Sequence, residues 1–224
     1  MERKNIIIIA IVALAVITVG YAITSTIGNN AGGGDMGNLG TTPFKTDFME
    51  GVFVGDGVKL VNESEKFMHS YEDSKHNITY NISTVDNSTA LMDIYYVQGV
   101  MNPEHRSYNG NDWNIYFSQA IQGNNTNDTM SIIICQSQGK KQGYLIYMII
   151  DSKSDVNTSA LNVYGSAFKN FVEPLLKSIT LKESNDVPAI HDEFGLTADQ
   201  FAEQMKLIQQ YKAGNTSALQ QSSG

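Results

Sequence analysis

The 224-residue chain has a single cysteine, Cys135, so it forms no internal disulfide and has no cysteine cage for a metal. Cys135 closes the apolar run Ile132-Ile133-Ile134-Cys135, the setting of a buried structural thiol rather than a nucleophile. Basic residues are also few. The 15 Lys and Arg against 23 Asp and Glu leave a net charge of −8, which disfavours nucleic acid as a partner, because nucleic acid demands clustered positive charge. The four histidines, His69, His76, His105 and His191, show no His-x-x-x-His pairing, so no zinc site and no metal cofactor is expected. Glu72-Asp73 with His76, and His191-Asp192-Glu193, carry ligand-type side chains, but read as a polar turn and a helix end. Neither a Gly-x-Ser-x-Gly elbow, nor a phosphate loop, nor a dinucleotide fingerprint is present. Charged residues make up only 17% of a chain rich in Asn, Gln and Met, a composition unlike that of hyperthermophile proteins.

What the chain does have is an uncharged run from Ile6 to Ile23, extendable to Ile27 and preceded by Arg3 and Lys4. A helix of roughly 20 apolar residues spans a bilayer, so residues 1–27 read as a transmembrane signal anchor. The basic residues lie before the run, which places the remainder of the chain outside the cytoplasm, as a single-pass protein of the cell membrane. The rival reading is a cleaved signal peptide, with Gly20-Tyr21-Ala22 as its small-x-small site. Residues 28–43, built from Gly, Asn and Thr, read as a flexible linker that holds a domain off the membrane.

Asn-x-Ser/Thr acceptor sites start at Asn62, Asn77, Asn81, Asn87, Asn124, Asn127, Asn157 and Asn215, well above the roughly three expected by chance. All follow the anchor, where N-glycosylation is expected; the alternative is that Asn, Ser and Thr simply fill polar turns. From Asn77 to Ser83 the residues alternate, with Ile78, Tyr80 and Ile82 on one strand face. Asn77 and Asn81 are therefore expected to face solvent.

Residues 44–183 read as an antiparallel α+β domain with one sheet. Gly51 to Gly55 and Val58 to Val61 flank Asp56-Gly57, a hairpin-turn dipeptide. Lys66 to Glu72 and Leu91 to Val97 read as further strands, although Ser88 could cap a helix over the latter. Asp112 to Gln119 has the period of a half-buried strand, with Trp113, Ile115 and Phe117 on one face. Met130 to Gln136 and Tyr144 to Ile150 are apolar at consecutive positions, as in central strands covered on both faces. One cover is a helix over Ser159 to Val172, ended or kinked by Pro174, before a last strand at Ser178 to Lys182. The other is a C-terminal helical pair within 184–214, in which Thr197 and Gln200 form a capping box, Leu196 staples against Phe201, and Gly214 closes the helix. Residues 215–224 read as a disordered tail.

The strand run, the helix carrying Phe168, Phe171 and Val172, and the closing Leu175-Leu176-Lys177-Ser178-Ile179-Thr180-Leu181 resemble the end of the PsbP/Mog1-like fold. The whole chain resembles uncharacterised membrane-anchored archaeal proteins described as PsbP-related. The aromatic-Pro-x-x-Trp opening of that family is missing, and Val58 to Phe67 stands in its place. The resemblance implies an accessory binding scaffold. The expectation is a non-catalytic interaction domain meeting a protein or glycan partner at the cell surface, as an accessory subunit of a membrane or surface complex. An extracytoplasmic hydrolase with a spatially assembled site is the alternative. Aromatic residues cluster at Tyr95, Tyr96, Tyr108, Trp113, Tyr116 and Phe117, and Tyr108 and Trp113, flanking Asn109-Gly110, are the expected ligand-binding pair.

Overall fold

The computed structural model describes residues 39–64, 68–97, 102–121 and 129–215. The expected membrane anchor, most of the linker, acceptor residues Asn124 and Asn127 and most of the expected tail lie outside the described residues. Among the described residues no helix is long and apolar enough to cross a membrane.

Among the described residues ten strands form two antiparallel sheets rather than one. The large sheet has seven strands in the order β3 (Lys59–Ser64), β4 (Met68–Asp73), β5 (Ile78–Val85), β9 (Gly143–Asp151), β8 (Thr129–Gln138), β7 (Asn111–Ile121) and β6 (Glu104–Tyr108). The small sheet has three, in the order β1 (Thr41–Lys45), β2 (Met49–Val54), β10 (Thr180–Leu181). β1 begins inside the stretch expected to be linker. The two most apolar strands, β8 and β9, do lie centrally, and nearly every residue along them is buried.

Asp56-Gly57 does not close a hairpin. β2 pairs with β1 and β10, whereas β3 pairs with β4, so this dipeptide carries the chain from one sheet to the other. Apolar residues on both flanks of a turn dipeptide mark two strands without saying that they pair. Asn109-Gly110 is a true two-residue hairpin: both residues have positive φ, 50° and 77°, and Tyr108 pairs with Asn111 across it.

One face of the large sheet packs on the small sheet and on helix α2, a π-helical turn at Phe168–Val172 that runs into Glu173–Ser178. Phe53, Tyr80, Trp113, Ile133, Ile146, Phe171 and Leu176 fill this core, all at most 1% exposed. Helix α2 starts later than expected, and Tyr164, within the stretch expected to be helix, is 72% exposed. Pro174 does not end the helix. The Glu173 N–H reaches back to the Phe168 carbonyl, a five-residue step, and this wider turn accommodates a ring that would break a regular helix.

The other face packs on α1 (Ser88–Val97), α3 (Ile190–Glu193) and α4 (Ala198–Lys212), through Leu91, Ile94, Ile190, Phe194, Phe201 and Ile208. Residues 91–97 are thus helix and not strand. Asn87 Oδ1 accepts the Ala90 N–H at 3.0 Å, the bond that starts α1. The capping box forms as expected: Gln200 N–H donates to Thr197 Oγ1, and Gln200 Oε1 accepts from Thr197 N–H at 2.9 Å. α4 is clasped to α1 because Asp93 Oδ2 accepts from Gln209 Nε2 at 2.5 Å and Asp93 Oδ1 pairs with Lys212.

Candidate functional site

The two aromatics expected to form a binding surface do not form one. Trp113 is 1% exposed and belongs to the core, since β7 turns its Trp113-Ile115-Phe117 face towards α2. Tyr108 is partly buried against the same core, with the Lys177 ammonium 5.9 Å from its ring centroid. Burial first, then the nearby Glu173 carboxylate, pushes the Tyr108 hydroxyl above its usual range. The Asn109-Gly110 turn between them serves the fold: Asn109 Nδ2 donates to the Ile179 carbonyl at 2.8 Å and ties the hairpin to the start of β10.

The acceptor asparagines divide by environment. Asn77, Asn87, Asn157 and Asn215 are exposed, and Asn62 is half-buried beside a bulge in edge strand β3. Asn81 is the correction. All eight residues of β5 are buried, and Asn81, 3% exposed, accepts from Ser70 Oγ at 2.7 Å. Alternation reports two chemically different faces, not an exposed one, and here β4 and β9 flank the strand while the polar face hydrogen-bonds internally.

The β4–β5 turn gathers the residue types of a hydrolytic triad. His76 Nδ1 lies 2.6 Å from Asp73 Oδ2, and Ser154 is adjacent. Asp73 is 1% and His76 3% exposed, and the imidazole meets the Phe171 ring edge-on at 5.3 Å. Asp73 Oδ1 also accepts the amides of Lys75 and His76, and Ser154 Oγ donates to the His76 backbone carbonyl rather than to the ring. Gly55 covers the cluster so closely that an added Cβ would stand 2.9 Å from Asp73 Oδ2. These groups close a turn and are not open to a substrate. The second sequence cluster also forms no centre: His191 and Asp192 pair at 3.0 Å on the short helix α3, and no group of three metal-ligating side chains occurs among the described residues. Cys135 is buried, which pushes its thiol far above the ordinary range and leaves it unreactive.

Charged side chains do converge at the other end of the strands. A groove of about 280 Å³ is lined by Lys45, Thr46 and Asp47 from the β1–β2 connection, Glu63 from β3 and His69 from β4. Thr46 shapes it. Its Oγ1 accepts the amides of Phe48 and Met49 at 3.2 and 3.0 Å and donates to the Met49 carbonyl, which fixes the tight connection that presents Lys45 and Asp47. His69 is 9% exposed, and its Nδ1 stands 3.6 Å from Glu63 Oε1, too far for a hydrogen bond. Beside the groove, Lys182 at 2.5 Å holds the Glu50 carboxyl below the usual carboxylate range, with a smaller share from Lys45.

The position of this groove follows from the register. Gly40, one residue after the described chain begins, accepts the Gly55 N–H at 3.1 Å and lies beside the end of the strands that holds the β4–β5 turn. β1 then runs its five residues, about 17 Å, to the groove end. The β1–β2 connection and the β3–β4 pair that build the groove lie in different sheets. No periodicity or motif marks them.

A second hollow, about 580 Å³ and mostly apolar, lies along α4 and is lined by Phe201, Ala202, Met205 and Lys206 with Asn87. Of the three apolar residues on this face of α4, Phe201 and Ile208 are each 7% exposed and belong to the core on this side of the sheet, while Met205 is partly buried and lines the hollow.

The chain is thus an α+β domain of antiparallel sheets with helices on both faces of the larger one. No family model matches it, and no curated protein does. Among solved structures it is similar to the solution structure of cyanobacterial PsbP (CyanoP) from Synechocystis, at 12% identity and a TM-score of 0.40, covering 69% of this chain and 98% of that one. It is also similar to a crystal structure of a Bacteroides thetaiotaomicron protein, at 5% identity and a TM-score of 0.36. That match covers 60% of this chain and 46% of the other, so the chain spans less than half the length of that protein.

Proposed function

We propose that this protein is a membrane-anchored, extracytoplasmic, non-catalytic binding module whose recognition site is the charged groove at Lys45, Asp47, Glu63 and His69. The observation that carries the reading is the contrast between two charged clusters. The triad-like residues Asp73, His76 and Ser154 are buried and spent on closing a turn, while the groove is open and its histidine lacks a hydrogen bond among the described residues. A hydrolase needs the reverse arrangement, a nucleophile and base within reach of substrate.

The groove also lies at the end of the strands away from Gly40, remote from the Gly-rich segment that leads to the expected anchor, and a flexible tether leaves it free to meet a partner. The strand run and the closing helix–strand segment resemble the PsbP/Mog1-like fold, in which an accessory scaffold is the common role. N-glycans on the exposed Asn77, Asn87 and Asn157 fit the same location. Intact mass spectrometry of protein purified from its native membrane tests the reading. A mass that retains Met1 to Ala22 and carries glycan on exposed acceptors, with none on Asn81, is expected; a mature chain beginning at Ile23 removes the anchor from the account.

A further inference from the structure

We propose that an N-glycan on Asn87 folds back into the hollow along α4 and covers it, so that the sugar bonded to this acceptor is part of the folded surface. This rests on the extracytoplasmic location proposed above.

Two independent features meet at this residue. Asn87 opens an acceptor site with Ser88 and Thr89, and both Asn87 and Thr89 are exposed. Asn87 is also one wall of the mostly apolar hollow of about 580 Å³, whose remaining lining comes from α4. The other exposed acceptors, Asn77, Asn157 and Asn215, do not line it. A sugar on Asn87 is therefore delivered to the mouth of the hollow by its own covalent bond, whereas any other occupant has to be captured from solution.

The acceptor atom is available. Asn87 Oδ1 accepts the Ala90 N–H at 3.0 Å, which fixes the side-chain amide at the start of α1, while Nδ2 makes no hydrogen bond among the described residues. The sugar comes from a polyprenyl phosphate-linked donor. Nδ2 bonds to the anomeric carbon, the bond from that carbon to the phosphate oxygen breaks, the phosphate leaves with the electron pair, and Nδ2 gives up one proton. Oδ1 keeps its bond to Ala90, so the modification leaves the cap of α1 intact.

The lining suits a sugar ring, which has an apolar C–H face and a hydroxyl rim. Ala202 and the adaptable side chain of Met205 offer the apolar contact, and Lys206 and Gln210 are placed to meet hydroxyls. No carboxylate lines the hollow. A contact this weak between free partners is still populated when the two are bonded together, because the tether supplies a high effective concentration.

The test compares full-length protein purified from its native membrane with Thr89→Ala and Ser159→Ala. Thr89→Ala removes the Asn87 acceptor site and keeps the Asn87 cap; Ser159→Ala removes the Asn157 site in the same way. Glycopeptide mass spectrometry reads occupancy, and peroxide oxidation of Met205 reads cover. The parent should carry glycan on Asn87, and Met205 should oxidise roughly fivefold faster in Thr89→Ala, with Ser159→Ala matching the parent. Protein made in a host without the glycosyl transferase should match Thr89→Ala, which separates loss of the sugar from any effect of the substitution. A bare Asn87 overturns the proposal. So does an occupied Asn87 with Met205 oxidised equally fast in Thr89→Ala, whether the hollow then stands open or is covered by a second copy of the chain. Bare Asn87 beside glycan on Asn77 or Asn157 defeats this inference and leaves surface display standing, since display is read separately by the reach of an external protease.

Discussion

Replacing Asp73 with Ala asks whether the triad-like cluster is structural. The substitution removes the 2.6 Å bond to His76 Nδ1 and the bonds from the amides of Lys75 and His76 at 3.1 and 3.3 Å. A hydrogen bond to a charged group contributes about 1.5–3 kcal/mol, and a buried donor left without its partner costs about 1–3 kcal/mol. His76, 3% exposed beneath Phe171, is such a donor, whereas the Lys75 amide lies at an exposed turn where water can replace the carboxylate. The sum is roughly 4 kcal/mol, in line with breaking a buried pair by removing one partner. For a folded unit of this size each kcal/mol shifts the midpoint by about 2–4 °C, so thermal unfolding followed by circular dichroism should show a fall of roughly 10 °C. Asp73→Asn keeps one oxygen for the two amides and should lose less. Binding at the distant groove should survive at temperatures where the variant is folded. A midpoint within about 2 °C of the parent would refute the structural assignment.

Gly143→Ala should be among the most damaging single changes, since the added Cβ would stand inside the van der Waals radii of Ser88 Cβ and Oγ and push α1 off β9; a loss of roughly 3 kcal/mol is expected in urea unfolding. The Ser88→Gly/Gly143→Ala pair should lose less than the sum of the single changes, because the two share one contact. Cys135 should resist thiol-labelling reagents in the folded protein and react fully in denaturant; rapid labelling under native conditions would contradict its burial. Burial, then the charge of Glu183, pushes the Tyr144 hydroxyl up to about 12, above its usual value near 10. Folding stability from this group is therefore full below about pH 10 and lost as pH rises through about 12, and Tyr144→Phe should flatten the alkaline arm of a stability–pH curve.

Much of this architecture is legible in the residues. The consecutive apolar runs at Met130–Gln136 and Tyr144–Ile150 announce buried strands, and the Thr197 to Gln200 spacing announces the start of α4, because both signals are local. Failures occur where a local signal has a tertiary meaning. The alternation in β5 shows two faces, but only the strands and helices around it decide that both are buried. Leu91 to Val97 is rich in strand-type residues, yet Asn87 caps it and core contacts from Leu91 and Ile94 make it helix. Trp113 was legible as one face of a strand, and the mistake lies in treating its nearness to a turn as exposure. The groove is the opposite case. Lys45, Glu63 and His69 are ordinary in sequence and line one groove only because one connection in the small sheet is set against an edge of the large one.

The central claim concerns where the domain stands, and limited proteolysis of intact cells reads it most directly. A protease added outside should cut the chain after the anchor within the segment leading to Phe44, releasing a folded fragment without lysis. If that fragment appears only after the cells are broken, the domain faces the cytoplasm and the account of a surface-displayed binding module is contradicted.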